Sequence, residues 1–189
     1  MREDIINDLQ REIKTRCDAP SNAFGSGVFQ HIQAVARNGA LLAGQWNADL
    51  EAVIIACWLH DIASITDKRL YEEHHIHGAV MAKEILDSFH YPPEKIELVQ
   101  QCIRNHRGSA PRAKMTVEER CVADADAISH FDAVPSLLYL AFVQRNMSLA
   151  DGTAFVRDKL DRSFRKLSPQ SQALYADKYD HAMELLTVI

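Results

Sequence analysis

The stretch Ala56-Cys-Trp-Leu-His60-Asp61-Ile62-Ala63 sets two ionisable side chains in an otherwise apolar segment. It overlaps the longest uninterrupted apolar run of the chain, the 8 residues from 52 to 59. Apolar residues recur here at i, i+3, i+4 and i+7, which predicts a helix over residues 49–63 with His60 on its inward face. A histidine therefore occupies a position where a hydrophobic residue is expected.

Two further predicted helices carry a histidine on the same kind of apolar face, at His31 and His106. A buried polar group without a partner costs about 1–3 kcal/mol, and an isolated carboxylate such as that of Asp61 costs far more. A domain has only about 5–15 kcal/mol of stability in total. Such groups persist if they are satisfied together, as a divalent cation bound by imidazoles and a carboxylate would do.

Helical periodicity extends over almost the whole chain, and 189 residues with 7 glycines and 6 prolines fit one all-α domain. Thr116 with Glu119 forms a capping box, and Ser168 precedes a proline at a first helical position. We therefore predict a single-domain helical bundle over residues 1–189, with the C-terminal helices packed on the part that carries the motifs. The predicted helices lie near residues 2–16, 27–44, 49–63, 74–89, 93–107, 116–131, 134–146, 149–166 and 169–187.

Composition argues against several classes of protein. A net charge of −5 disfavours a nucleic-acid polymer as partner, because phosphate binding needs a basic face. An apolar run of 8 residues is far below the roughly 20 of a membrane helix, and residues 1–4 begin no secretory signal. We expect no membrane partner, because the apolar run is so short. The four cysteines form no C-x-x-C pair, so we expect a reducing, cytoplasmic location. No pattern predicts an oligomeric state.

A phosphate-binding glycine loop is also absent from the sequence. Gly39 and Gly44 have the required spacing, but Gln45-Trp46 follows where a lysine and a serine or threonine are needed. We interpret the two glycines as helix residues. If the protein handles phosphate, it must use side chains or metal ions.

The histidines and aspartates occur in an order that resembles the HD-domain metal-dependent phosphohydrolases. That family shows a histidine, then a His-Asp pair in an apolar helix, later histidines and a final aspartate. The resemblance covers about residues 25–135 and is closest to small, single-domain, all-helical hydrolases. The matching segments are Phe29-Gln30-His31, the opening stretch with His60-Asp61, His74-His-Ile-His-Gly78-Ala79, Ile103-Arg-Asn-His106-Arg107-Gly108 and Val122-Ala-Asp-Ala-Asp126-Ala-Ile128.

The resemblance implies a metal centre. It assigns a first ion to His31, His60, Asp61 and Asp126, and in binuclear members a second ion to His74 and His106, with Asp61 bridging. His75 is an alternative to His74, and Asp124 is an alternative to Asp126, because helical periodicity alone does not choose between them. Mixed histidine and aspartate ligation suits one or two ions of Mn, Fe, Ni, Co or Zn.

The resemblance also implies a reaction, in which a metal-activated water attacks the phosphorus of a nucleotide or related small phosphoester. Asp61 is thus expected to be catalytic as well as a ligand. His130, one turn after Asp126, is a candidate general acid or a partner that orients a ligand, and an ordinary surface or capping histidine is the alternative. Lys68, in the predicted loop 66–73, and Arg107, beside the predicted loop 108–114, are candidates for binding substrate phosphate. We expect these two loops to shape the pocket.

Two other functions fit the same pattern. Some binuclear iron relatives are oxygenases, and a helical binding module could keep a structural metal without catalysis. The basic cluster Arg162, Arg165 and Lys166 has Asp158 and Asp161 beside it, so we expect a solvated, salt-bridged face there.

Overall fold

Helices make up most of the part of the chain that the structure describes. The structure is a computed structural model that describes residues 1–107 and 115–187, and no strand occurs within these ranges. This confirms the all-α prediction. The helices are α1 (Glu3–Asp18), α2 (Gly27–Trp46), α3 (Leu50–Leu59), α4 (Ile62–Thr66), α5 (His74–Ser88), α6 (Pro93–Asn105), α7 (Val117–Asp132), α8 (Val134–Tyr139), α9 (Leu149–Lys166) and α10 (Pro169–Leu185).

The helix boundaries follow the capping signals of the sequence. The Thr116 hydroxyl accepts the Glu119 backbone N–H and the Glu119 carboxylate accepts that of Thr116, which completes the predicted capping box of α7. Ser168 caps α10, and Pro93 opens α6. The predicted helix over 134–146 is divided, because a π-helical turn, Leu140–Gln144, follows α8.

The predicted single helix over 49–63 is wrong in one respect that matters for the site. The α-helix ends at Leu59, and the backbone of Asp61 leaves helical geometry, with φ −108° and ψ 14°. These angles lie in the bridge region, where turn residues and many functional residues are found. The chain then resumes as α4, so the His60-Asp61 pair lies at a corner between two helices.

The central helix α3 is enclosed by apolar neighbours, as its composition requires. From Ala52 to Leu59 it is buried at every residue except Ile54, which is partly buried, and it packs with α1, α2, α6 and α7. A second cluster joins α7, α8 and α9 through Phe131, Leu137, Ala141, Val156 and Leu160. The C-terminal helices therefore pack against the motif-bearing helix α7. Within the described ranges, no helix combines the length and the hydropathy that a membrane crossing would need.

Gly39 marks the closest approach of α2 to α3 and supplies a test of the packing. A Cβ there would overlap the Cys57 Sγ and lie 3.3 Å from Val53 Cγ1, whereas a Cβ on Gly44 meets nothing within 4 Å. We expect Gly39→Ala to lower the free energy of unfolding by about 1–3 kcal/mol through overpacking. The control Gly44→Ala should raise it by about 0.5–1 kcal/mol through helix propensity. Urea denaturation of both variants checks this; equal effects would contradict it.

Candidate metal centre

Six side chains from separate parts of the chain meet in two adjoining groups. The first group is His31, His60 and Asp126, and the second is Asp61, His74 and His106. Within each group the candidate ligand atoms all lie within 4.8 Å of one another. All six are buried except Asp61, which is partly buried. The structure thus brings together every residue to which the resemblance assigned a metal-binding role.

Three of the imidazoles are fixed by the same local hydrogen bond. Each Nδ1–H donates to the carbonyl three residues earlier: His60 to Cys57 at 2.8 Å, His74 to Tyr71 at 2.7 Å and His106 to Ile103 at 2.6 Å. His60 and His106 directly follow α3 and α6, whose last carbonyls have no partner within the helix. These bonds select the tautomer that leaves Nε2 as a bare acceptor, as metal-binding histidines require.

His31 reaches the same tautomer through a side chain. The Ser129 hydroxyl lies 2.6 Å from the Asp126 carbonyl oxygen, to which it donates, and 2.9 Å from His31 Nδ1. Because a hydroxyl has a single proton, His31 Nδ1–H must be the donor in the second contact. All four candidate histidines therefore use Nδ1 as the donor and direct Nε2 toward the centre.

The bare nitrogens explain why the donor set fits a cation. Nε2 of His74 lies 3.2 Å from Nε2 of His106, so two lone pairs face each other. Nε2 of His60 is buried and makes no hydrogen bond within residues 1–107 and 115–187. Buried acceptors without a donor are costly, and a divalent ion satisfies several of them at once. The four imidazoles and two carboxylates thus match the chemistry of a transition-metal centre.

Asp61 lies between the two groups. Its Oδ2 is 3.4 Å from His60 Nε2, while its Oδ1 is 3.3 Å from His74 Nε2 and 4.0 Å from His106 Nε2. One carboxylate oxygen therefore faces each group, an arrangement that suits a bridging ligand. The break in the helix at this residue produces that orientation.

The two aspartates of α7 have different surroundings. Asp126 Oδ1 lies 3.5 Å from His31 Nε2 and 4.0 Å from His60 Nε2, and its Oδ2 accepts a hydrogen bond from Lys166 at 2.5 Å. Burial opposes ionisation, but Lys166 and the imidazoles hold the pKa of Asp126 well below its usual range. Asp124 accepts the backbone N–H of Ser168 at 3.0 Å, at the start of α10. Geometry thus places Asp126, rather than Asp124, beside the histidines.

Two further histidines, His75 and His130, lie beside candidate ligands but belong to neither group. His74 belongs to the second group, whereas His75 does not, although its ring lies 5.8 Å from that of His74. The ring of His130 lies 4.6 Å from that of His31, and its Nδ1 is 3.3 Å from the Ser163 hydroxyl. Burial, with help from Lys159, lowers the pKa of His130 well below its ordinary value.

The buried histidines predict a pH dependence of stability in the metal-free protein. Burial lowers the pKa of His31 to about 4 and that of His106 to about 3. Each binds a proton more readily when unfolded, so the folded state loses stability as pH falls from about 6.5 toward these values. We expect the loss between pH 7 and pH 5 to be about 1–2 kcal/mol for each of the two residues, measured by urea denaturation.

His31→Gln should reduce this pH dependence, and His77→Gln, at a more exposed histidine, should leave it unchanged. Because the pKa of His60 is raised and acts in the opposite direction, the test is the difference between the proteins: a His31→Gln protein that keeps the full pH dependence of the parent would contradict the prediction. The carboxylate of Asp61 affects the stability at lower pH than the histidines do, because its pKa is lowered from an ordinary value near 4. Although burial raises that pKa, the neighbouring imidazoles, His60 first, have the larger combined effect.

The two groups open into a cavity of about 840 Å³. Arg107 lines it and is hydrogen-bonded to the Glu72 carbonyl oxygen. Lys68 is exposed on a short 3₁₀ turn, Lys68–Leu70, and is not part of the cavity wall. The predicted loop over 108–114 lies outside the described residues. Among the residues that the structure describes, six cationic side chains line the cavity: Arg107, Arg145, Lys159, Arg162, Arg165 and Lys166.

Sequence reasoning missed the contribution of α9 to this wall. The expected solvated, salt-bridged face exists in part, since Arg165 pairs with Asp161 at 2.8 Å. Lys166 instead reaches Asp126, and Lys159 and Arg162 line the cavity. The available signal was the spacing of Lys159, Arg162 and Lys166 at i, i+3 and i+7, which places three cations on one helical face.

Comparison with known proteins supports the same architecture. The family model for the HD domain matches residues 28–130. Bacillus subtilis YpgQ is 16% identical with a TM-score of 0.71, over 97% of this chain and 92% of that one. The YpgQ complex with ADP is 17% identical with a TM-score of 0.67, over 96% and 93%.

A predicted HD superfamily hydrolase from an uncultured Thermotogales bacterium is 21% identical with a TM-score of 0.61, over 98% of this chain and 88% of that one. A search of curated proteins finds no significant match. At these identities the solved structures show a shared fold.

Proposed function

The chain belongs to the HD-domain family, and we propose that it is a metal-dependent phosphohydrolase acting on a nucleotide or a related phosphoester. One observation carries this proposal. Two groups of candidate ligands, placed side by side around Asp61, open into a cavity whose wall is cationic although the chain as a whole is acidic. A local positive field is what an anionic substrate needs.

The side chains have distinct proposed roles. His31, His60 and Asp126 would hold one cation, His74 and His106 would hold a second, and Asp61 would be shared between them. When bound, such cations lower the pKa of a water toward about 7 and neutralise charge on the phosphoryl oxygens. The chain itself keeps the imidazoles in one tautomer through their Nδ1 bonds and keeps Asp61 and Asp126 ionised.

We assign His130 the role of orienting a candidate ligand, and not that of a general acid. Because burial holds its pKa well below the ordinary value, His130 is neutral at pH 7 and is poorly suited to act as a general acid. Its ring packs on His31 and its Nδ1 contacts Ser163. It therefore supports the orientation of a candidate ligand.

A nucleotide is supported by the size and charge of the cavity. Its volume suits a small organic ligand, and the wall combines the cationic side chains with the apolar Phe24, Val28 and Leu137. The complex of YpgQ with ADP shows that a protein of this fold can bind a nucleotide. Arg107 is the substrate-binding candidate from sequence that lines the cavity, whereas Lys68 has no such support.

Elemental analysis of the purified protein, followed by a phosphatase and nucleotide screen with the metal found, tests the proposal. We expect Mn, Fe, Ni, Co or Zn, and release of phosphate or pyrophosphate from at least one substrate. Anaerobic iron loading followed by oxygen-uptake measurement distinguishes the oxygenase alternative. Stoichiometric metal without turnover of any phosphoester would instead favour a binding module and overturn the proposal.

A further inference from the structure

One face of α9 forms a row of cations along the cavity wall. Lys159, Arg162 and Lys166, here called the α9 stripe, follow the helical repeat and all line the cavity. Asp161 lies off this stripe, where it pairs with Arg165 and accepts a hydrogen bond from the Tyr179 hydroxyl at 2.9 Å. Positive charge is thus concentrated toward the cavity.

We propose that the α9 stripe binds phosphoryl groups beyond the one at the metal centre, so that the substrate is a polyphosphate ester, such as a nucleoside di- or triphosphate. This inference rests on the proposed phosphohydrolase function. Neither Lys159 nor Arg162 has a carboxylate partner within residues 1–107 and 115–187, and Lys159 is half-buried. A partly buried ammonium without a direct ion-pair partner is unfavourable, and an anionic ligand would supply one.

The extent of the stripe indicates more than one phosphoryl group. Lys166 is held at the centre by Asp126. Lys159 lies seven residues earlier, about 10.5 Å along the helix axis at 1.5 Å per residue. A single phosphoryl group at the candidate metal centre would be neutralised by the metal ions and Lys166. The Lys159 ammonium and the Arg162 guanidinium lie farther along the helix and are additional to these cations. A monoester would leave them without an anionic partner.

Calorimetric titration of the purified metal-containing protein with orthophosphate and with pyrophosphate tests this inference. We expect pyrophosphate to bind at least about ten-fold more tightly, because it makes additional charge-assisted hydrogen bonds. Lys159→Met should weaken pyrophosphate binding about ten-fold and orthophosphate binding less than about three-fold, and adding Arg162→Met should weaken pyrophosphate further. Lys159→Arg, which keeps the charge, should bind nearly as the parent protein does.

Arg157→Met is the matched control, because Arg157 is an exposed cation of the same helix that lies outside the cavity wall and contacts Thr187. It should leave both affinities unchanged. Thermal melting and metal analysis of each variant show that fold and metal content are kept. Equal losses for the two anions, or a Lys159→Met protein that binds like Arg157→Met, would overturn the inference.

Hydrolysis assays separate the two proposals. Phosphoester hydrolysis that persists without any preference for pyrophosphate would overturn the α9 stripe as the polyphosphate site and leave the phosphohydrolase function in place. Pyrophosphate binding that depends on Lys159, in a metal-loaded protein that hydrolyses nothing, would overturn the function and support the stripe as an anion site.

Discussion

Under the proposed function, Asp61→Ala is expected to reduce phosphoester hydrolysis by at least about 10²–10³-fold while the helical fold is kept. The reason is geometric, since one oxygen of Asp61 faces His60 and the other faces His74. Removing this carboxylate takes a negative ligand from both groups, so the bound metal should fall as well. Initial rates, elemental analysis and far-UV circular dichroism measure the three effects.

Asp67→Ala is the matched control for this variant. Asp67 is a nearby carboxylate that caps the 3₁₀ turn and pairs with Arg69, outside both groups of candidate ligands. It should keep activity and metal near the parent values. If Asp61→Ala retains full activity, or if the two variants lose activity equally, the assignment of Asp61 is wrong.

The second large effect distinguishes the two aspartates of α7. Asp126→Asn should lose metal from the first group and at least about 10²-fold in activity, because a neutral amide replaces a carboxylate beside His31 and His60. Asp124→Asn should keep metal and activity. It should lower the free energy of unfolding by about 1 kcal/mol, since the carboxylate accepts the N–H at the start of α10.

Metal content and thermal melting of the two Asn variants check this prediction. A loss of about 1 kcal/mol should lower the melting temperature of Asp124→Asn by about 2–4 °C. Metal retained in Asp126→Asn but lost from Asp124→Asn would reverse the assignment.

Sequence patterns predicted the helices well because the signals for them are local. The capping box at Thr116 and the serine cap at Ser168 depend on residues three apart, and both occur in the structure. The break at Asp61 was missed, because apolar periodicity continues through it. That break depends on the backbone angles of a single residue, which no pattern of hydrophobicity encodes.

The candidate site was predictable only as far as the order of its histidines and aspartates. Helical periodicity could not choose between Asp124 and Asp126, since their partners lie far away in sequence. Lys166, 40 residues after Asp126, holds one of these carboxylates, and Ser168 contacts the other. The α9 wall was missed for the same reason: Lys159 and Arg162 acquire their role from where α9 packs.

The contact between Lys166 and Asp126 joins two parts of the chain that have different proposed roles. The candidate ligands all lie within the matched segment 28–130, whereas the cations of α9 follow it. Under the proposed function, exchanging the C-terminal helices is expected to change the substrate preference while the candidate ligands stay in place.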